Sequence, residues 1–155
     1  MQKKTLIKCI LLSLAVGAVS GFLTRNGMKD FMQIAQPSLT PPPWVFPIVW
    51  TILYIMMGIA SYDIFVSETD RKSKMTALSL YATQLFFNFW WSIIYFNLKN
   101  YLFAFIWLIA MWGLIIATTL EFRKISKKAA LLMVPYLLWT TFAAYLNYGV
   151  YVLNR

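Results

Sequence analysis

Asn88 and Trp91 stand three residues apart inside an unbroken apolar run, so an amide and an indole share one helical face. Trp50 pairs in the same way with Tyr54, and Trp139 with Ala143, each four residues on along a face. Asn147 follows Tyr145 by two residues in a further apolar stretch. Aromatic and amide groups are the chemistry on offer. Histidine is absent, which removes Ser-His-Asp triads, Cys-His pairs, His-ligated haem and His-rich zinc sites together. The acidic residues Asp30, Asp63, Glu68, Asp70 and Glu121 all avoid the centres of the apolar runs, where a proton-coupled transporter would need one. No Gly-rich phosphate loop and no cysteine cluster occurs. Conventional hydrolytic or metal catalysis is not expected, and no metal ligands are assigned.

Each of the seven tryptophans needs a partner for its N–H if it lies at lipid depth. Trp44, Tyr101 and Tyr151 sit where interfacial aromatics belong. Trp50, Trp91, Trp112 and Trp139 lie deeper, and inward rings either pack a core or line a site for a flat apolar ligand. Asn88 and Asn147 likewise have two readings, an interhelical hydrogen bond or a ligand contact.

The elements that must position these groups follow from hydropathy. Of 155 residues, 61% are hydrophobic and only 12% charged, with mean hydropathy +0.65. A water-soluble domain of this size could not bury that much apolar surface. About 20 apolar residues cross a bilayer, and five runs qualify: 6–24, 44–66, 75–98, 101–120 and 129–153. Solid apolar runs without alternation mean helices, since backbone groups in lipid must be satisfied internally. The expected fold is therefore all-α: a polytopic membrane protein, one domain over residues 1–155, built as a five-transmembrane-helix bundle. Short polar joints after the second, third and fourth runs make neighbouring helices antiparallel. Residues 1–23 resemble a signal peptide in their basic start, but Gly17-x-x-x-Gly21 suits helix packing, and the segment reads as a retained first span. Pro135, early in the fifth run, suggests a kink. Cys9, the lone cysteine, reads as a small buried hydrophobe.

The net charge of +9 sits in clusters between apolar runs rather than on a soluble stripe, which argues for lipid and against nucleic acid. Ten Lys and Arg fall on the side of the N-terminus and four on the other. The N-terminus is therefore expected in the cytoplasm and the C-terminus outside, in a bacterial-type cell membrane. Residues 25–43 form the one long connection. Asn26-Gly27 reads as a turn, Met28, Phe31, Met32 and Ala35 as a short amphipathic helix, and Pro41-Pro42-Pro43 as a stiff stop. Such a loop is either a lid or a passive interfacial segment.

The chain resembles the TspO/MBR translocator protein family, which includes tryptophan-rich sensory proteins and the peripheral benzodiazepine receptor. The residues that carry the resemblance are Pro37-Ser38-Leu39-Thr40-Pro41-Pro42, Trp44-Val45-Phe46-Pro47, Trp50-Thr51-Ile52-Leu53-Tyr54 and Met57-Gly58. They continue with Asn88-Phe89-Trp90-Trp91, Pro135-Tyr136-Leu137-Leu138-Trp139, Ala143 and Tyr145-Leu146-Asn147. The resemblance implies a homodimeric five-helix bundle with a pocket roofed by the first long loop, and ligands such as porphyrins, sterols or benzodiazepine-like drugs. Its pocket would be drawn from Phe31, Trp50, Tyr54, Asn88, Trp91, Trp139, Ala143 and Asn147. Phe31 and Leu39 stand where some relatives carry Tyr and Trp, which removes a hydroxyl and a ring. Leu146, Tyr151 and Arg155 match a loose cholesterol-contact spacing that is weak by itself. No resident cofactor is implied; the expected partner is a hydrophobic small molecule, and without His a metal-free, protoporphyrin IX-like tetrapyrrole suits better than haem. Arg25, Lys29 and Arg155 lie on the outer side, where they could meet propionates. Three functions remain open: binding with transport or sensing, light-dependent porphyrin degradation with Trp50 and Trp139 as the reacting residues, or a ligand-regulated interaction protein.

Overall fold

The computed structural model describes residues 2–155. Five α-helices follow in order: α1 (Gln2–Phe31), α2 (Val45–Phe65), α3 (Arg71–Ser92), α4 (Tyr101–Ile125) and α5 (Lys127–Leu153). A π-helical segment, Ile93–Asn97, prolongs α3, with Leu98 N–H reaching back to the Ile93 carbonyl at 3.1 Å. No strand occurs among the described residues. Local signals explain the starts of three helices. Asp70 accepts from the Ser73 amide, Asn100 from Phe103 and Ser126 from Ala129, each satisfying an amide that the first turn leaves free. The Ser73 amide holds the Asp70 carboxyl below its ordinary range.

The helices close a ring in the order α1, α2, α5, α4, α3 and back to α1. Leu, Ile and Phe side chains cover the outside, including Leu12, Phe22, Ile52, Phe86, Ile106 and Leu138. Polar groups occupy the inside, with Gln84, Thr118 and Thr140 fully buried. That distribution inverts a water-soluble protein and fits a bilayer. Four helices, α1, α2, α4 and α5, are long and apolar enough to cross a membrane by length and composition. The third is equally long but more polar, because it carries a basic first turn and the interior residues Gln84 and Asn88. The protein is an all-helical integral membrane protein.

Two expectations need correction. The turn at Asn26-Gly27 is absent: α1 is a single helix to Phe31, so the long connection shrinks from 25–43 to 32–44. The cause lies across the interface. A side chain at Gly27 would collide with the Phe96 carbonyl, so the glycine serves a close approach of α1 to the π segment instead of a turn. Asn97 fastens the same contact by donating to the Leu23 carbonyl at 3.0 Å. The second concerns Met28, Phe31, Met32 and Ala35, expected as a short separate helix: Met28 and Phe31 belong to the end of α1, and turns follow from Met32. The first-span glycines, expected to suit helix packing, lie inside the bundle. Gly17 lies against the Tyr54 ring within the bundle, beside the Ser13 hydroxyl that donates to the Tyr54 carbonyl at 2.7 Å. Gly21 opens on the internal cavity described below. At Pro135, α5 runs through as one helix.

Candidate functional site

The cavity lies at the end of the bundle where α1 and α5 finish and α2 begins. It measures about 340 Å³, within the range of small-molecule sites. Its walls come from α1, α2, α3 with the π segment, and α5; α4 stands behind and contributes nothing. Residues of the 32–44 connection, among them Met32, Gln36, Thr40 and Pro41, roof it. The connection is therefore a lid in geometry.

Several bonds hold that lid down. Thr40 folds it into a turn through N–H and hydroxyl bonds to the Pro37 carbonyl at 3.1 and 2.8 Å. Gln36 donates to the Phe31 carbonyl at 3.0 Å. The Asn154 amide pairs with both backbone groups of Ala35: it accepts from the N–H at 3.2 Å and donates to the carbonyl at 2.8 Å. Gly149 leaves the space into which the Pro37 ring fits. At the neighbouring corner Lys99, in the left-handed region with φ 53°, bonds Asp30 at 2.8 Å, and that carboxylate raises the Lys99 pKa.

Six of the eight residues singled out from the sequence line this cavity: Phe31, Trp50, Tyr54, Trp91, Trp139 and Ala143. Trp50 is the hub, 5.7 Å from Tyr54, 6.4 Å from Trp91 and 6.1 Å from Tyr136 between ring centres. Trp91 stacks on Tyr95 at 5.2 Å, Phe31 meets Tyr95 at 5.3 Å, and Trp139 meets Phe46 of the α2 entrance at 5.9 Å. The wider turn of the π segment lets the adjacent residues Tyr95 and Phe96 both face the cavity, consistent with the placing of π turns at functional sites.

Asn88 and Asn147 do not reach the cavity; they stand behind its wall. Asn88 accepts from the Tyr54 hydroxyl at 2.7 Å and donates to the Tyr136 hydroxyl at 2.7 Å. Tyr136 in turn donates to Gln84 at 2.8 Å, so one hydrogen-bonded chain ties α2, α3 and α5. Asn147 accepts the Trp91 N–H at 3.2 Å and donates to the Tyr101 carbonyl at 2.8 Å. Their geometry is that of residues that position the wall. Trp112, another deep tryptophan, spends its N–H on Thr141 at 2.9 Å between α4 and α5. Sequence reasoning missed Gln84 and Tyr136 as members of the chain. Gln84 stands four residues before Asn88, so its place on that face was readable.

The indole N–H groups of Trp91, Trp107 and Trp112 are hydrogen-bonded, whereas those of Trp50 and Trp139 have no partner among the described residues. Of the three cations expected near the ligand, Lys29 lines the cavity and has no carboxylate partner among the described residues. Arg25 turns away, lying over the Phe22 ring at 4.1 Å and donating to the Phe22 carbonyl, and Arg155 is not part of the lining. Leu39 is exposed on the lid.

A helical bundle with an aromatic cavity under a proline-rich lid and an apolar outer surface places the chain among small helical membrane proteins. The chain belongs to the TspO/MBR family, whose sequence profile matches residues 9–153. It is 40% identical to the tryptophan-rich protein TspO of Chlorobaculum tepidum over 99% of this chain and 98% of that one. Similarity extends to the tryptophan-rich sensory protein of Cereibacter sphaeroides, 37% identical over 77% and 73% of the two chains. The translocator protein of Ovis aries is 33% identical over 86% and 80%.

Proposed function

We propose that the protein binds a planar, hydrophobic, carboxylate-bearing ligand of the tetrapyrrole class beneath the lid, and transports or senses it. The observation that carries this reading is one cavity lined by Trp50 and Trp139, whose indole N–H groups have no hydrogen-bond partner among the described residues, together with Lys29, which has no carboxylate partner there. Aromatic walls favour a flat ring system through offset and edge contacts. A cation in the lining favours an anionic edge on the same molecule. The small Ala143 beside Trp139 leaves a slot that a larger side chain would fill. The translocator and sensory names of the relatives agree with a ligand-handling role. We read all five helices as crossings, the third sheltering its polar residues among its neighbours, with the N-terminus cytoplasmic and the C-terminus outside a bacterial-type membrane. A homodimer would form through the outward side of α4, where Gly113 faces open space while Ala104 is buried within the bundle.

Absorbance titration of the purified protein with protoporphyrin IX, in darkness and under illumination, tests the proposal. Saturable binding with the ligand intact in both conditions supports transport or sensing. A second reading is favoured by the two oxidisable indoles on the cavity wall: light-dependent oxidation of the bound tetrapyrrole by dioxygen. It requires a new product spectrum that appears only in light. Absence of saturable binding in the dark would overturn both.

A further inference from the structure

At the end of the bundle opposite the lid, Leu80 of α3 and the last turns of α4 line an open groove of about 580 Å³ on the outer surface. Its floor is apolar, formed by Leu80, Ala117 and Leu120, and its rim is charged, with Glu121, Arg123 and Lys124. Lys124 pairs with Glu121 at 2.5 Å, while Arg123 has no carboxylate partner among the described residues. Arg71 and Lys72 in the first turn of α3 and Lys127 at the start of α5 add to this basic end, equally without ion pairs. Arg123 and Lys124 already suit the negative end of the α4 dipole. The dipole accounts for their charge but not for the apolar hollow beside them.

The two halves of the groove call for different chemistry. A soluble anion would engage the rim and leave the floor bare; an uncharged acyl chain would cover the floor and leave Arg123 unpaired. One molecule answers both. We propose that this groove holds a single anionic phospholipid, its acyl chain along Leu80, Ala117 and Leu120 and its phosphate on Arg123 and Lys124. Arg123 supplies the planar, two-pronged donor that phosphate oxygens match. Lys124, with three ammonium N–H donors, can keep Glu121 and hold the phosphate at once. The site is separate from the cavity, and its occupancy does not depend on which ligand the cavity takes.

The test uses the delipidated full chain in detergent, titrated with phosphatidylglycerol, phosphatidylcholine or inorganic phosphate, with thermal stability and retained lipid as readouts. Phosphatidylglycerol is expected to bind and raise Tm well above the effect of phosphatidylcholine, and inorganic phosphate to do neither. The Arg123→Gln, Lys124→Gln double variant should bind phosphatidylglycerol roughly thirty-fold more weakly, the loss expected for two basic groups at an anionic surface. Ala117→Trp, which fills the floor without changing charge, should also abolish the preference. Lys3→Gln with Lys4→Gln, at the same end but outside the groove, should leave it intact. Equal effects of the two lipids, a shift reproduced by inorganic phosphate, or unchanged binding in both groove variants would overturn the proposal.

Discussion

Trp50 and Trp139 differ from the other deep tryptophans in one respect, the lack of an internal partner for the N–H. Trp91 gives its N–H to Asn147, Trp107 to the Phe87 carbonyl and Trp112 to Thr141. A ligand that accepts these two hydrogen bonds and lies against the rings would complete them. Replacing either by Phe retains the apolar wall and removes the donor, so tetrapyrrole affinity should fall by about 1 kcal/mol, measured by the same titration. Any light-driven loss of the ligand should fall much further, since the oxidisable indole is gone. Asn88 makes a different kind of prediction. Asn88→Leu would strand the Tyr54 hydroxyl in a buried setting and leave Tyr136 bonded to Gln84 alone, and should cost about 1–3 kcal/mol, read as a lower midpoint of detergent-induced or thermal unfolding. Its effect on affinity should be secondary, because the amide stands behind the wall. The spacing of Asn88 and Trp91 on one face was legible from the sequence, but the role of the amide was not. Which helix lies opposite decides whether an amide meets a ligand or a tyrosine, and that partner, Tyr136, is 48 residues away.

The lid shows what hydropathy reads well and what it reads poorly. Pro41-Pro42-Pro43 marked the stiff part of the connection, whereas Asn26-Gly27 misled and the apolar period through Met28 and Phe31, read as a short separate helix, is the end of α1. Glycine favours a turn only where a turn is needed; here it allows two backbones to approach, and only the position of Phe96 reveals that. The clamp of Asn154 on Ala35 was likewise invisible, since its members are 119 residues apart and neither is chemically unusual. Asn154→Ala should release the lid: the Ala35 amide should exchange with solvent faster, and ligand association and dissociation should both accelerate in stopped-flow. Gly149→Val should displace Pro37 and act in the same direction. The Lys99–Asp30 pair adds a pH dependence. Asp30 raises the Lys99 pKa above its unfolded value, so its contribution is complete at neutral pH and is lost as pH rises through the raised lysine value. The corner between the end of α1 and the start of α4 should therefore loosen in strong base, with amide exchange there rising beyond the base-catalysed rise of amides elsewhere in the bundle. At the other end, Asp70 is lowered by the Ser73 amide, so its capping contribution is present at neutral pH and disappears as pH falls below the ordinary carboxylate range.

For the molecule as a whole, the five helices were readable because solid apolar runs admit no other structure in lipid, but their ends were not: α1 runs on through Arg25 and Lys29 and α4 through Arg123 and Lys124, beyond the apolar runs. The third helix is the instructive case. Its polar residues lower its hydropathy, yet Gln84 and Asn88 are satisfied inside the bundle, so their cost in lipid is removed by partners that sequence alone does not display. Cysteine placed at Ser73 should be labelled from the cytoplasmic side and at Ser38 from the outside; the reverse pattern would overturn the charge-based orientation. Gly113→Leu should lower the dimer fraction in detergent without lowering the unfolding midpoint, since the position meets no other side chain within one chain. The central claim, that a flat anionic ligand occupies the slot beside Trp139 under the lid, is tested most directly by titrating protoporphyrin IX in the dark into the natural chain and into Ala143→Leu. The natural chain should bind one ligand per chain saturably, and the variant, folded and equally stable, should bind at least tenfold more weakly because leucine fills the slot. Equal affinity in the two proteins would place the ligand elsewhere.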